Sequence, residues 1–326
     1  DNSGSMLSYA YDFNDAGVSK GFDPARRYFG YFEPDLWYVY ANSRFEPTVG
    51  KSARAKAAIE WDGNFLNWLT MRRIDVARKV LIGGKAVSRT LTGNPHELIG
   101  EQADGSSRGY RKEVNSAEEY TPYWGTRCFE FSFGTASAAD FEVSEHVGDC
   151  SAMVPGDFLD NYVVKTLVPT EPTGVIQAQG DKVRWGLEFY NEEQGGRIAK
   201  EMTDDIVSSM VTAIELDKPG SSTPMAEALW TATGYFAQSP VTGDHGPRYY
   251  SPNSQSYRVG TDSDPYNFGT GGTPEYIWCA KSFVLVITDG EPTQDLNLPD
   301  YITGYDDPYT DGDNPVPGWA GPADPN

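Results

Sequence analysis

The sequence has few cysteines, few basic residues and no long apolar segment, and each shortage excludes a class of protein. Its 326 residues contain three cysteines and no Cys-x-x-Cys pair, which argues against a zinc finger and against thioredoxin-type redox chemistry. Lys and Arg number 26 against 47 Asp and Glu, and the formal net charge of −21 disfavours nucleic acid and anionic lipid as partners. The longest apolar run, FVLVI at 283–287, is too short for a membrane helix, which needs about 20 residues.

The few cysteines that are present suit an exported protein. Cys128 and Cys150 lie in one polar, glycine-rich stretch and are predicted to form a disulfide, as is common outside the cell. Two free thiols are the alternative. Cys279 is then unpaired, either as a buried thiol or as the partner of a segment outside this sequence. The acidic charge and the predicted disulfide together favour an extracellular location.

Hydrophobic periodicity predicts helices and strands in alternation. Helices are predicted at 63–84, 199–216 and 223–237, and strands at 126–133, 183–191 and 281–290. The last strand is a continuous β-branched run, which is typical of a strand buried on both faces of a sheet. This order predicts an α/β fold with a doubly wound, mostly parallel sheet and a large insertion of loops and strands.

Oxygen-bearing side chains occur at three places that such a sheet would bring together. Asp1, Ser3 and Ser5 alternate in the opening DNSGSM. Thr223 precedes a predicted helix, and Asp289 follows the last predicted strand. Ligands of open α/β sheets lie beyond the carboxyl ends of the strands, so we predict that these five side chains bind one hard cation. Each residue alone is also common in turns and helix caps, which is the purely structural alternative.

The chemistry of this predicted site follows from its ligands. Carboxylate and hydroxyl oxygens suit Mg²⁺, with Ca²⁺ and Mn²⁺ as alternatives. Because only two of the five ligands carry charge, the cation would remain able to bind a carboxylate from outside the protein. The pattern therefore indicates recognition of an acidic group rather than a reaction.

Four longer segments, taken with the oxygen pattern, resemble a known family. The segments are WDGNFLNWLTMRRIDVARKVLIGGK (61–85), GVIQAQGDKVRWGLEFYNEEQGG (174–196), TPMAEALW (223–230) and WCAKSFVLVITDGEPT (278–293). They resemble the N-terminal region of the PilY/PilC-type tip adhesins of bacterial type IV pili. The oxygen pattern itself resembles the metal-ion-dependent adhesion site of von Willebrand factor type A domains.

The resemblance implies a role for each site residue. Ser3, Ser5 and Thr223 would contact the metal directly. Asp1 and Asp289 would contact it directly or through water.

The resemblance also implies a domain organisation. Residues 1–84 and 166–295 would form a von Willebrand A-like domain, residues 85–165 a disulfide-containing insertion, and residues 296–326 an acidic, proline-rich linker toward a further C-terminal domain. The family's strand before the oxygen pattern and its C-terminal β-propeller are not in this sequence. We therefore expect a fragment of a longer exported protein whose signal peptide is not in this chain.

The function implied is metal-dependent adhesion at the tip of a type IV pilus. The expected partners are minor pilins of the pilus tip and an acidic group on a host protein, a matrix protein or a surface, and the domain would also support pilus assembly. The alternative is a force-bearing or mechanosensing element of a surface fibre that binds no ligand through a cation. No enzyme activity is expected, because metal-assisted hydrolysis needs a general base and Glu291 is the only carboxylate close to the pattern.

Two weaker candidates remain open. The acidic segment at 305–315 lacks the spacing of an EF-hand, so a solvated linker is favoured over a second cation site. The aromatic stretch at 28–40 could stack on sugars, although such residues more often pack into a core.

Overall fold

The chain folds into two compact units in the computed structural model. Unit 1 comprises Asp1, Trp185–Ile206 and Ser221–Asn326, and unit 2 comprises Asn2–Arg184 and Val207–Gly220. The structure describes residues 1–11, 18–19, 21–89, 95–103, 111–132, 138–145, 147–148, 150–152, 158–180, 182–191, 195–204, 206–237, 264–269, 273–277, 279–290 and 292–293. The predicted linker at 296–326 and the acidic segment at 305–315 lie outside these residues.

Unit 2 contains two five-stranded sheets. Its strands are β1 (Val18–Ser19), β2 (Leu36–Ala41), β3 (Arg44–Gly50), β4 (Glu60–Asp62), β5 (His96–Ile99), β6 (Arg111–Val114), β7 (Arg127–Phe131), β8 (Asp140–Ser144), β9 (Phe158–Val163) and β10 (Lys165–Val168). One sheet has the order β1-β6-β7-β8-β9 and the other β4-β2-β3-β10-β5. Within them only the β1–β6 and β3–β10 pairs are parallel.

The predicted doubly wound, mostly parallel sheet is therefore wrong. Parallel neighbours need a long crossover connection, usually a helix, whereas antiparallel neighbours need only a tight turn. The β2–β3 connection is such a turn: Asn42 and Ser43 both have positive φ, 53° and 55°, as two-residue hairpin turns require. The prediction treated the helices as crossovers and underestimated how many short strands are joined directly along the chain.

Four α-helices occur among the described residues of unit 2. They are α1 (Gly63–Thr70), α2 (Arg73–Ile82), α3 (Val175–Ala178) and α4 (Val207–Leu216). The single helix predicted at 63–84 is thus two helices. Asp62 caps α1 by accepting the backbone N–H groups of Asn64 and Phe65 at 2.7 and 3.0 Å, and Gly83 ends α2 with φ of 83°. Among the described residues, no helix combines the length and apolarity that crossing a bilayer demands.

The core of unit 2 is largely aromatic. The ring centroids of Trp61 and Tyr162 lie 4.9 Å apart, and Phe141 lies 5.9 Å from Trp61. The stretch 28–40 supplies Tyr28, Tyr31, Phe32 and Tyr38, all at most 2% exposed. These four rings are packed in the core and present no face for a sugar, whereas Phe29 of the same stretch is 49% exposed.

A disulfide reinforces the same unit. Cys128 in β7 is bonded to Cys150 with a Cα–Cα distance of 5.1 Å, so the predicted pairing is confirmed. Cys279, in unit 1, is a free and exposed thiol.

Unit 1 has a smaller described framework. It contains the antiparallel pair β11 (Leu187–Tyr190) and β12 (Gly196–Lys200) and the helix α5 (Met225–Ala237). Its buried apolar cluster consists of Ile198 and Tyr235, with Met202 packed against them.

The buried strand predicted at 281–290 is not formed. Residues 281–288 have no regular secondary structure, and Phe283 and Leu285 are 83% and 74% exposed. A strand is stabilised by ladder bonds to a neighbour. No described strand pairs with this segment, so its β-branched composition alone does not produce a strand.

Candidate cation-binding site

Within unit 1, the Asp1 carboxylate is bonded to the segment that contains Asp289. Asp1 Oδ2 accepts a hydrogen bond from the Thr288 hydroxyl at 2.9 Å and another from the Asp289 backbone N–H at 3.2 Å. These residues are 287 and 288 positions apart in the chain. The Asp1 side chain thus lies beside the backbone of Asp289, the residue that sequence reasoning placed in the same site.

Thr223 is bonded to the other end of the same segment. The Thr223 backbone N–H donates to the Thr293 hydroxyl at 3.0 Å, and the Thr293 backbone N–H donates to the Thr223 carbonyl at 3.0 Å. Thr223 is buried, and helix α5 begins two residues after it. The N-terminus of a helix carries a partial positive charge, so this position also suits the structural reading of Thr223 as part of a helix start.

Ser3 and Ser5 belong to unit 2, where their hydroxyl oxygens lie 2.8 Å from each other. The chain between them forms a 3-10 turn at Gly4–Leu7, which places the two side chains on the same side. Ser3 is 1% exposed and Ser5 is half-buried. The alternation read from the sequence therefore produces a real pair of neighbouring hydroxyls.

The donor chemistry of these residues fits a hard divalent cation. Two carboxylates and three hydroxyls are the oxygen ligands that Mg²⁺ and Ca²⁺ take. No group of three or more His, Cys, Asp and Glu side chains that could hold a metal occurs among the described residues. The predicted set is of another type, because only Asp1 and Asp289 in it belong to those four residue types.

A further carboxyl lies near Asp1 in unit 1. Asp1 borders a cavity of about 90 Å³ that is also lined by Glu188 of β11 and by Val284 and Val286. Glu188 Oε1 has no hydrogen-bond partner among the described residues, and burial raises the pKa of Glu188 well above its usual range. Burial therefore favours the neutral form of the Glu188 carboxyl.

Sequence reasoning missed the two threonines that organise this segment. Thr288 and Thr293 flank Asp289 and bond to Asp1 and Thr223 respectively. The TDGEPT sequence at 288–293 could have indicated them, because threonines stand on both sides of its acidic residues. Glu291, the one carboxylate considered as a general base, lies outside the described residues.

Sequence reasoning also missed a buried ionic cluster in unit 2. Arg78 donates to Glu101 at 2.5 Å and to the carbonyl oxygens of Ile214 and Asp217 at 3.1 and 2.7 Å. Lys85 donates to the same Glu101 oxygen at 2.7 Å. Arg78 is fully buried, so this set of bonds joins α2 to the end of α4 through a charge that cannot be left unpaired.

Asp75 is a second buried carboxyl beside that cluster. Its carboxylate accepts the backbone N–H of Glu101 at 3.0 Å and that of Arg72 at 3.2 Å, and the Tyr31 hydroxyl at 3.1 Å. Burial raises the pKa of Asp75 to about 6, although Arg78 acts in the opposite direction. Asp75 and Arg78 of the RRIDVARK segment therefore both bond to Glu101, one to its backbone and the other to its side chain.

Comparison with known proteins places the similarity in unit 2. Residues 19–153 match the family model described as PilY1 homolog, small alpha/beta domain. The Type IV pilus biogenesis factor PilY1 homolog of Xylella fastidiosa is 36% identical over 87 residues. This match covers 26% of the present chain and only 6% of that relative. No solved structure matches the chain.

These similarities support the predicted resemblance in part. The chain is similar to PilY1-type factors of type IV pili, and the family-model match at residues 19–153 lies in unit 2. The match ends before Thr223 and Asp289, so it carries no information on the cation site or on a von Willebrand A-like domain.

Proposed function

We propose that this chain is part of a type IV pilus biogenesis factor and that it acts in recognition at the cell surface. The similarity to PilY1-type factors supports the association with pili. The disulfide between Cys128 and Cys150 supports an exported protein, because such bonds persist in oxidising compartments. A place at the pilus tip, in contact with minor pilins, belongs to the same proposal.

We propose further that the recognition depends on a divalent cation, with Mg²⁺ as the first candidate. Asp1, Thr223 and Asp289, all of unit 1, would hold it. The participation of Ser3 and Ser5 stays a prediction from the sequence alone. The observation that carries this proposal is the hydrogen bonding of segment 288–293 to Asp1 at one end and to Thr223 at the other. When bound, the cation would supply an open coordination position for a carboxylate of a host or matrix protein.

The experiment is thermal unfolding of the chain in EDTA and then with Mg²⁺, Ca²⁺ or Mn²⁺. A ligand that binds only the native state stabilises it by about 2.7 kcal/mol when its concentration is 100 times Kd. We expect a rise in Tm with at least one cation for the native sequence. Asp289→Ala should lose most of that rise, and Thr223→Ser, which keeps the hydroxyl, should keep it.

Asp35→Ala is the matched control. It removes one negative charge from an exposed position in unit 2, so it tests whether the cation acts only on overall charge. Equal cation dependence of the native chain, Asp289→Ala and Asp35→Ala would rule out the specific site. Capture of an acidic peptide in Mg²⁺ and its release by EDTA would then test the recognition step.

The second candidate is a force-bearing element of the fibre that uses no cation. The disulfide and the aromatic core of unit 2 favour it, because both resist unfolding. Single-molecule pulling separates the candidates: unfolding forces that are the same in EDTA and in Mg²⁺ would support the structural role alone.

A further inference from the structure

Unit 2 contains a cavity of about 640 Å³ that the proposed function does not use. It is bordered on one side by Pro47 and Thr48 of β3 and on the other by residues 167–173, at the end of β10 and beyond it. β3 and β10 are paired at Phe45 and Thr166 only. Pro47, two residues after Phe45, and Pro169, three residues after Thr166, have no N–H to donate to a parallel ladder, and a gap remains between the two segments.

A single lysine brings an unbalanced charge into this cavity. Lys79, in the last turn of α2, is half-buried and lines the cavity. Its ammonium group makes no hydrogen bond or ion pair with any residue that the structure describes. By contrast, Lys51 and Lys85 of the same unit are bonded to carboxylates at 2.6 and 2.7 Å. A partly desolvated ammonium without a partner destabilises the folded state, and an anionic ligand that pairs with it would remove part of that cost.

The carboxylates around the cavity do not fill this role. Glu46 is held by Arg44 at 2.9 Å, and Glu33 and Glu171 are exposed at the rim. Burial lowers the pKa of Lys79, and Glu33 opposes that shift without bonding to the lysine. Lys79 is therefore the cationic side chain of this cavity, beside the carboxylates of Glu33, Glu46 and Glu171.

The remaining surface is suited to an extended peptide. Leu36 and Val168 are apolar, and Thr48 and Thr170 add hydroxyl groups on the two opposing segments. Peptides that bind beside a strand present alternate side chains to pockets while their backbone runs along the edge. The volume lies within the range of about 300–1,000 Å³ that is usual for ligand sites.

We propose that this cavity binds an extended peptide through an acidic side chain, with Lys79 as the counter-ion of that carboxylate. The test uses the peptide acetyl-Val-Glu-Val-amide, with acetyl-Val-Gln-Val-amide as its neutral match. Lys79 is acylated with acetic anhydride in a buffer that contains EDTA, so that divalent cations are excluded. The extent of acylation is measured by mass spectrometry. The glutamate peptide should slow acylation of Lys79 by about fivefold or more, because a bound carboxylate stabilises the unreactive ammonium.

Lys165 is the internal reference, because it lies on β10 and is already paired with Glu97 at 3.6 Å. Its acylation rate should not change. Amide NMR shifts at 167–173 should appear with the glutamate peptide in the native chain and in Lys79→Arg, and be absent in Lys79→Met. The proposal is overturned if the two peptides slow acylation of Lys79 equally, or if neither slows it at about 10 mM. It is also overturned if acetate protects Lys79 as well as the glutamate peptide does.

The outcome is independent of the cation site. If the cations leave the Tm unchanged but the peptide protects Lys79, only the adhesion proposal fails. If a cation raises the Tm but the peptide does not protect Lys79, only the peptide-site proposal fails.

Discussion

The two units of this chain differ in how they are held together, although one polypeptide supplies both. Unit 2 has two five-stranded sheets, an aromatic core, a disulfide and a buried ionic cluster. The described part of unit 1 has one two-stranded sheet, one helix and a small apolar cluster. Its most apolar stretch, 283–287, is exposed along its whole length. Apolar composition therefore does not decide burial, which depends on whether partner strands are present.

The sharpest test of this contrast removes one partner of a buried charge in unit 2. Arg78→Met leaves Glu101 with Lys85 alone and removes the bonds to α4. We expect a loss of about 3–5 kcal/mol in the free energy of unfolding, as is found when a buried pair is broken. Urea unfolding followed by tryptophan fluorescence measures it.

The matched control is Arg27→Met, which breaks a pair whose side chains are 62% and 75% exposed. Its expected effect is below about 1 kcal/mol. Similar losses for the two variants would refute the claim that burial makes the Arg78 cluster important.

The disulfide gives the next effect. Replacing Cys128 and Cys150 with serine opens a loop of sequence separation 22, and chain-entropy arguments place the loss near 3 kcal/mol. The urea midpoint should fall, and reducing agent should lower the midpoint of the native chain to the same degree. Cys279→Ser should keep the response to reducing agent intact, because that thiol is free.

Asp75 predicts a pH dependence of opposite sign to that of most carboxyls. Its pKa is raised from 3.8 to about 6 in the folded state, so the native state binds its proton more tightly than the unfolded state does. Its contribution is present below about pH 4 and is lost as pH rises through 6, by up to about 3 kcal/mol. The difference in unfolding free energy between the native chain and Asp75→Asn should change accordingly between pH 4 and 7.

Glu60 provides the opposite case in the same unit. Arg54 lowers the pKa of Glu60 to about 2, so its contribution is present above about pH 4.5 and is lost as pH falls toward 2. Glu60→Gln should therefore lower the free energy of unfolding at pH 7 and have little effect on it near pH 2. If both variants showed the same pH trend, the assignment of the Asp75 shift to burial would be wrong.

The smallest effect is expected in unit 1. Phe283→Ser and Leu285→Asn replace side chains that are 83% and 74% exposed, so the free energy of unfolding should change by less than about 0.5 kcal/mol. Phe45→Ala, at a fully buried position, should lower it by about 3–5 kcal/mol. A large loss for Leu285→Asn would mean that the run is buried in solution.

Local sequence signals predicted much of this structure and failed where a partner segment was needed. Cys128 with Cys150, the strand at Arg127–Phe131 and the helix end at Gly83 all depend on nearby residues or on simple chemistry. The parallel sheet and the strand at 281–290 depend on distant pairing, which periodicity does not encode.

The candidate site divides in the same way. The hydroxyl pair of Ser3 and Ser5 follows from their spacing. Asp1 and Asp289 were predicted to meet at the edge of a parallel sheet, and they lie close together although that sheet is not formed. Lys79 and its cavity have no sequence signature, because they arise where Pro47 and Pro169 end a ladder between strands far apart in the chain. Binding of a cation by the five residues stays a prediction.

The uncovered stretch 283–287 also affects how the purified protein behaves in solution. Molecules that carry a net charge of −21 repel one another in dilute buffer, which keeps such adhesive segments from meeting. At an ionic strength of 0.15 M the screening length shrinks to about 8 Å, and neighbouring copies can then approach closely enough for these exposed apolar side chains to associate. Storage in low salt should therefore preserve monodisperse samples, and added sodium chloride should promote clouding.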